Sequence, residues 1–275
     1  MRDHWSLVLF TLLIQTAVGG VWCLQAASFG GMRLMNLPYL TYQLVLIFML
    51  SFVGLGGAFL HLGKPFNSYH VIRNVNRSWL SREIVTVGIF CASLLLLMVL
   101  DRVRPGMLNG RILFIASLTG GMALVAMTRV YRLRTVPSWN HAGTPLAFLS
   151  STLILGGLQC TVLLDLYGWL RTGGSGMLTQ DYILKVVFMA CAIAGIACKF
   201  LAAGLNPKIS SNSGTYLTRQ PVLQAGGLAI WMLYILINGD PGWQSILLIL
   251  TACSLISGEV IHRNQFYKSY QRVGL

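Results

Sequence analysis

The sequence predicts an all-α fold: a polytopic membrane protein with eight transmembrane helices in a bundle. Three observations predict it. Of the 275 residues, 55% are hydrophobic. Only 10% are charged, where soluble domains carry about 25%. Apolar runs of about 18 or more residues, each long enough to cross a bilayer, recur along the chain. The connections between them are short and polar, so residues 1–275 read as a single integral membrane domain.

The first span covers about 5–27. Its run is too long, and its polar Gln15 too central, for the apolar segment of a cleaved leader. Thr11, Gln15, Gly19 and Trp22 recur at helical spacing, and that face should point into the bundle, where Gln15 finds partners. The second span, about 39–61, carries Gly54, Gly56 and Gly57, which predict close helix approach, and it stops at His61 before Gly63 and Pro65. The third runs over about 83–100, with Ser81 as the expected N-cap and Glu83 in the first turn, where the helix dipole favours a carboxylate. The fourth, about 112–131, ends in Arg129 and Tyr131, and the fifth, about 145–167, follows a loop holding Pro137, Trp139 and His141. The sixth, about 181–204, has Asp181 and Lys185 four residues apart, an expected ion pair, and Lys199 placed to reach outward near its far end. Asn238–Gly239–Asp240–Pro241–Gly242 turns the seventh span, about 220–238, into the eighth, about 243–262. Glu259 and Arg263 are spaced to pair, and a polar tail follows from 263.

The net charge is +13, from 20 Lys+Arg against 7 Asp+Glu. These charges sit in short loops between spans, a pattern for membrane orientation, anionic lipid or an acidic partner and not for nucleic acid. Eight spans place both termini on one side. Leaving out Lys185 and Lys199 inside the sixth span, that side collects thirteen basic residues, Arg263 among them, and the other side five. The termini are therefore expected in the cytoplasm.

The six cysteines lie inside apolar runs without a CxxC pair, and they read as small buried hydrophobes. No cysteine set here holds an iron–sulfur cluster, and no metal site is expected. None of the five histidines lies mid-span, which argues against paired axial ligands for stacked haems. One haem at the edge shared by His4, His61 and His262 stays open.

All five histidines, Glu83, Glu259, Arg129 and Tyr131 fall on the termini side. Quinol oxidation needs an apolar pocket and two groups that take protons from the hydroxyls. An imidazole titrates near neutrality and a carboxylate passes a proton to water. His61 and Glu83 suit these roles by type and depth. Gln15, Arg129 and Tyr131 are candidates to bind the quinone ring. Basic loops 62–82 and 129–144, with Arg77, Arg82 and Trp139, are candidates to dock a partner. His61 as an interfacial histidine bonded to a loop carbonyl, and the loop arginines as solvated charges, are equally open on residue type alone.

Four segments taken together carry a resemblance: FTLLIQTAVGG in the first span, HLGKP from His61, SWLSRE ending at Glu83, and MTRVYRLRTVPSWN followed by Thr144–Pro145. Their order, the length and the eight spans resemble the membrane anchor subunit of bacterial anaerobic dimethyl sulfoxide reductase. The resemblance implies a bacterial inner-membrane subunit that carries no haem or iron–sulfur cluster itself. It implies oxidation of menaquinol and delivery of electrons to an iron–sulfur subunit with four [4Fe–4S] clusters. That subunit in turn serves a molybdopterin catalytic subunit reducing dimethyl sulfoxide or a similar acceptor. It places the family's quinol-site histidine on His61 and its carboxylate on Glu83. The competing readings are a secondary transporter, against which the absence of mid-span charges and mid-span proline argues, and a purely structural anchor.

Overall fold

The computed structural model describes residues 5–30, 38–61, 74–103, 110–172, 179–205, 216–237 and 241–270. Among them are eight helices and no strand: α1 Trp5–Phe29, α2 Pro38–His61, α3 Trp79–Val103, α4 Gly110–Tyr131, α5 Gly143–Thr172, α6 Thr179–Gly204, α7 Tyr216–Leu236 and α8 Pro241–Lys268. Seven are long and apolar enough to cross a membrane, and the apolar part of α7 is Val222–Leu236. Large side chains such as Leu95, Leu96, Val99, Phe114, Leu118, Met122 and Val125 are exposed on α3 and α4, the surface a bilayer covers.

Helices α1 to α4 form a ring, each packed on the next and α4 back on α1. Helix α1 also packs on α5, so it stands at the centre, and α5 pairs with α6. The α7–α8 hairpin leans on α5 and α6 through a second apolar cluster around Trp231, Ile154, Ala192 and Leu255, and α8 also touches α1. The closest backbone approach joins α1 to α5. A Cβ on Gly19 would lie 1.9 Å from the Thr152 carbonyl oxygen, and one on Gly156 would lie 2.2 Å from the Gly19 carbonyl carbon. Small residues allow this contact, which apolar burial alone does not drive inside lipid. Of the glycines expected to do this in α2, Gly54 does so against α1, where a Cβ would lie 3.2 Å from Leu13 Cβ and 3.3 Å from Ile14 Cδ1, while Gly56 and Gly57 face nothing within 4 Å.

Three expectations about elements are corrected. Helix α3 begins at Trp79, because the Ser78 hydroxyl, not Ser81, accepts from a first-turn N–H, that of Ser81, at 3.4 Å. Glu83 therefore lies beyond the first turn, and the helix dipole does not explain it. Helix α8 continues past 262 to Lys268, because Arg263 and Tyr267 are buried in the bundle and not solvated in a tail. Lys185 pairs with Asp165 of α5, the side chain of Asp181, its expected partner, lies outside the described residues, and Lys199 points inward and not out. Removing buried Arg263 from the loop charges leaves twelve against five, so the orientation expected from loop charge keeps its sign.

Candidate functional site

Consecutive spans alternate in direction. The starts of α1, α3, α5 and α7 therefore share one side with the ends of α2, α4, α6 and α8. The polar side chains of this half form two connected layers.

The outer layer is aromatic. Tyr267 donates to the Tyr131 hydroxyl at 2.9 Å and lies 3.4 Å from the Thr11 hydroxyl. Trp139 stacks on Phe266 at a centroid distance of 5.2 Å and meets Tyr131 edge-on at 5.6 Å. Its indole N–H donates to the Phe266 carbonyl at 2.8 Å. Trp139, expected to dock a partner, is buried as the clasp between the α4–α5 loop and the end of α8. His141 donates from Nε2 to the Ser138 carbonyl at 3.1 Å, and burial pushes its imidazole below the ordinary histidine value.

The inner layer is ionic. Arg263 lies over the Phe148 ring at 3.9 Å and donates to the Gln15 amide oxygen at 2.7 Å and the Ser151 hydroxyl at 3.2 Å. Ser151 donates to Glu259 Oε2 at 2.6 Å. Glu259 Oε1 accepts from Lys199 at 2.5 Å and from Gln224 at 2.6 Å. Five helices, α1, α5, α6, α7 and α8, meet in this network of bonds.

Glu83 is 2% exposed, and its Oε1 meets no hydrogen-bond partner among the described residues. It lies within electrostatic reach of both Tyr131 and Tyr267. A buried carboxylate oxygen without a donor marks a place where a ligand hydroxyl or water completes the site. His61 is the last residue of α2, which packs beside α3; its side chain lies outside the described residues, as do Lys64 and His70. Gln15 is fully buried, with its amide N–H turned to the Phe148 carbonyl at 3.4 Å.

The structure does not bring Arg129 to this group. Arg129, expected to bind the quinone ring, is exposed on the outside of α4, with its guanidinium 5.6 Å from the Trp79 ring. Arg82 covers the same ring at 4.3 Å and is tied back to the carbonyls of Val75 at 2.8 Å and Asn76 at 2.9 Å. Arg77 is exposed. Among the described residues, no group of three His, Cys, Asp or Glu side chains could hold a metal ion.

The family model described as DMSO reductase anchor subunit (DmsC) matches residues 1–268. The protein belongs to that family. It is 26% identical to the anaerobic dimethyl sulfoxide reductase subunit YnfH of Escherichia coli K12, over 99% of its own length and 96% of the relative. It is 27% identical to a second anaerobic dimethyl sulfoxide reductase subunit of the same organism, again over 99% and 96%. An anaerobic dimethyl sulfoxide reductase subunit of Haemophilus influenzae is 28% identical over 58% of this protein and 57% of the relative. No solved structure matches. As a DMSO reductase anchor subunit, the protein is a multi-pass membrane protein, in agreement with its apolar helices.

In this anchor subunit, sequence reading missed the inner ionic layer. Lys199, Glu259 and Arg263 looked like ordinary charges at span ends. One signal was available. Glu259, Arg263, Phe266 and Tyr267 recur at helical spacing, so a single face of α8 continues past the expected end of the span.

Proposed function

We propose that this anchor subunit holds a molybdopterin catalytic subunit and an iron–sulfur subunit with four [4Fe–4S] clusters at the bacterial inner membrane. In this reading it oxidises menaquinol at its termini-side edge and passes the electrons to the iron–sulfur subunit, for reduction of dimethyl sulfoxide or a similar acceptor. Family membership supports the anchoring role. The observation that carries the quinol reading is the buried Glu83 carboxylate with an unpartnered oxygen, within electrostatic reach of the Tyr131–Tyr267 hydroxyl pair. Glu83 takes one hydroxyl proton, and His61, at the end of the neighbouring helix, takes the other. Both sides of Gln15's amide are occupied within the protein, so Gln15 acts by holding Arg263 and the α1–α5 contact. The exposed Arg77 and Arg129 belong to the termini-side surface offered to the iron–sulfur partner, with the termini in the cytoplasm.

The test is menaquinol-dependent acceptor reduction by membranes carrying Glu83→Gln or His61→Ala, beside activity with a soluble reduced dye that bypasses the quinol. Loss of an acid–base group is expected to lower quinol-dependent turnover by about 10²–10⁴-fold, while dye-dependent activity and assembly persist. Wild-type quinol turnover in both variants would leave a purely structural anchor.

A further inference from the structure

Trp79 opens α3 at the termini-side end of its apolar span, and Arg129 stands two residues before the end of α4 on the same side. The indole is 40% exposed. Two guanidiniums gather on its ring, that of Arg82 at 4.3 Å and that of Arg129 at 5.6 Å from the centroid. Among the described residues neither has a carboxylate partner, the ion pairs there being Lys185–Asp165 and Lys199–Glu259. A contact with a ring face leaves the charge on each guanidinium, and two like charges held together repel unless an anion joins them. Arg82 is also fixed in place. The carbonyls of Val75 at 2.8 Å and Asn76 at 2.9 Å hold its Nε and Nη2, so little side-chain freedom is left to lose on binding.

Below this pair the surface is apolar and open. Leu118, Met122, Val125 and Arg129 recur at helical spacing on one face of α4, and the three apolar members are each more than half exposed. On α3, which packs against α4, Arg82, Ile89 and Leu96 follow one another every seven residues, with Ile89 46% and Leu96 53% exposed. Each strip thus runs from lipid-facing side chains up to an arginine at the membrane edge. The molecule that matches both parts has acyl chains and an anionic head.

We propose that Trp79, Arg82 and Arg129 form a seat for one anionic phospholipid, with its phosphodiester bridging the two guanidiniums and its acyl chains along the exposed strips of α3 and α4. The planar guanidinium fork matches phosphate oxygens, and an amphipathic indole suits the headgroup level. A zwitterionic headgroup brings a cation of its own to the two arginines and fits less well. The seated lipid forms the membrane rim of the termini-side surface to which Arg129 belongs, and an acidic loop of the iron–sulfur partner on the same arginines is the rival occupant.

The whole purified complex is titrated with phosphatidylglycerol, and separately with phosphatidylethanolamine of the same chains, and the retained lipids are counted by native mass spectrometry. One phosphatidylglycerol is expected to bind in preference to phosphatidylethanolamine, and Arg82→Gln and Arg129→Gln are each expected to weaken it about fivefold. Arg129→Gln carries the test should Arg82→Gln disturb the turn that Arg82 braces. Arg102→Gln, at the opposite end of α3, removes the same charge and is expected to bind phosphatidylglycerol like wild type. Equal retention of the two lipids, unchanged phosphatidylglycerol affinity in Arg129→Gln, or an equal loss in Arg102→Gln overturns the seat. Release of the iron–sulfur partner from Arg129→Gln, with phosphatidylglycerol still bound to the anchor, overturns it as well and assigns Arg129 to the partner.

Discussion

Arg263 on the last helix donates to the amide oxygen of Gln15 on the first at 2.7 Å, across 248 residues of sequence. Gln15 in turn points its amide N–H at the Phe148 carbonyl of α5, and the Arg263 guanidinium lies over the Phe148 ring. Three helices are tied at one buried point. The layer around this point joins charge compensation to helix packing.

Glu259 compensates two buried cations. Glu259→Leu leaves Lys199 and Arg263 facing each other without a carboxylate and should destabilise the bundle by about 3–5 kcal/mol. Adding Lys199→Met removes the surplus cation and should recover about 1–3 kcal/mol. Thermal unfolding of the detergent-purified complex reads both. A double variant no more stable than Glu259→Leu would show that the two residues do not compensate each other.

The α1–α5 crossing has no room for a methyl group. Gly19→Ala or Gly156→Ala forces the backbones apart, because the new Cβ would sit 1.9 Å or 2.2 Å from main-chain atoms of the other helix. Each should cost about 1–3 kcal/mol. Gly56→Ala meets open space and should stay within about 0.5 kcal/mol of wild type. Equal yields of folded protein from all three would contradict the packing.

Trp139 fastens the α4–α5 loop to the end of α8 by a ring stack and by an indole N–H shared between the Phe266 carbonyl at 2.8 Å and the Ser269 hydroxyl at 3.3 Å. Trp139→Ala should cost about 3–5 kcal/mol and speed amide hydrogen exchange over residues 132–142. Unchanged exchange there, with the partner subunits lost instead, would restore Trp139 to a docking role.

His141 gives that loop a pH dependence. Burial holds its imidazole below the ordinary value of 6.5, so on acidification the unfolded loop binds a proton before the folded one does. Its contribution to stability is complete above pH 6.5 and is lost as pH falls through the lowered folded value. Protection factors over 132–142, which correct exchange for its intrinsic dependence on pH, should therefore fall in mild acid in wild type and not in His141→Gln. Identical profiles would exclude His141 as the source.

Much of the fold was legible because lipid leaves few choices. A spanning backbone must satisfy its own hydrogen bonds, so every span announces itself as a long apolar run. The inward face of α1 was legible for a related reason. Thr11, Gln15, Gly19 and Trp22 share a face, and a polar face in a membrane turns toward protein: Thr11, Gln15 and Gly19 are buried, and the Trp22 indole donates to the Ser117 carbonyl at 3.0 Å. Helix ends were harder. Ser78 and Ser81 are both capable caps, and only the backbone path selects one. Charges were hardest. Arg263 and Lys199 carry the signature of interfacial anchors, and nothing local distinguishes an arginine facing headgroups from one folded onto Phe148.

The sequence by itself determined an eight-helix membrane bundle, its family and the side on which its polar chemistry gathers, because composition, apolar run length and motif order are properties of the polypeptide read in line. Tertiary structure alone decided the partners. Lys199 meets Glu259, Gln15 meets Arg263 and Lys185 meets Asp165, none of them pairs that local spacing selects. Which faces of two helices meet depends on how closely and at what rotation they pack. In lipid that is set by scattered small residues such as Gly19 and Gly156, whose contact is a relation between distant segments and not a pattern within either.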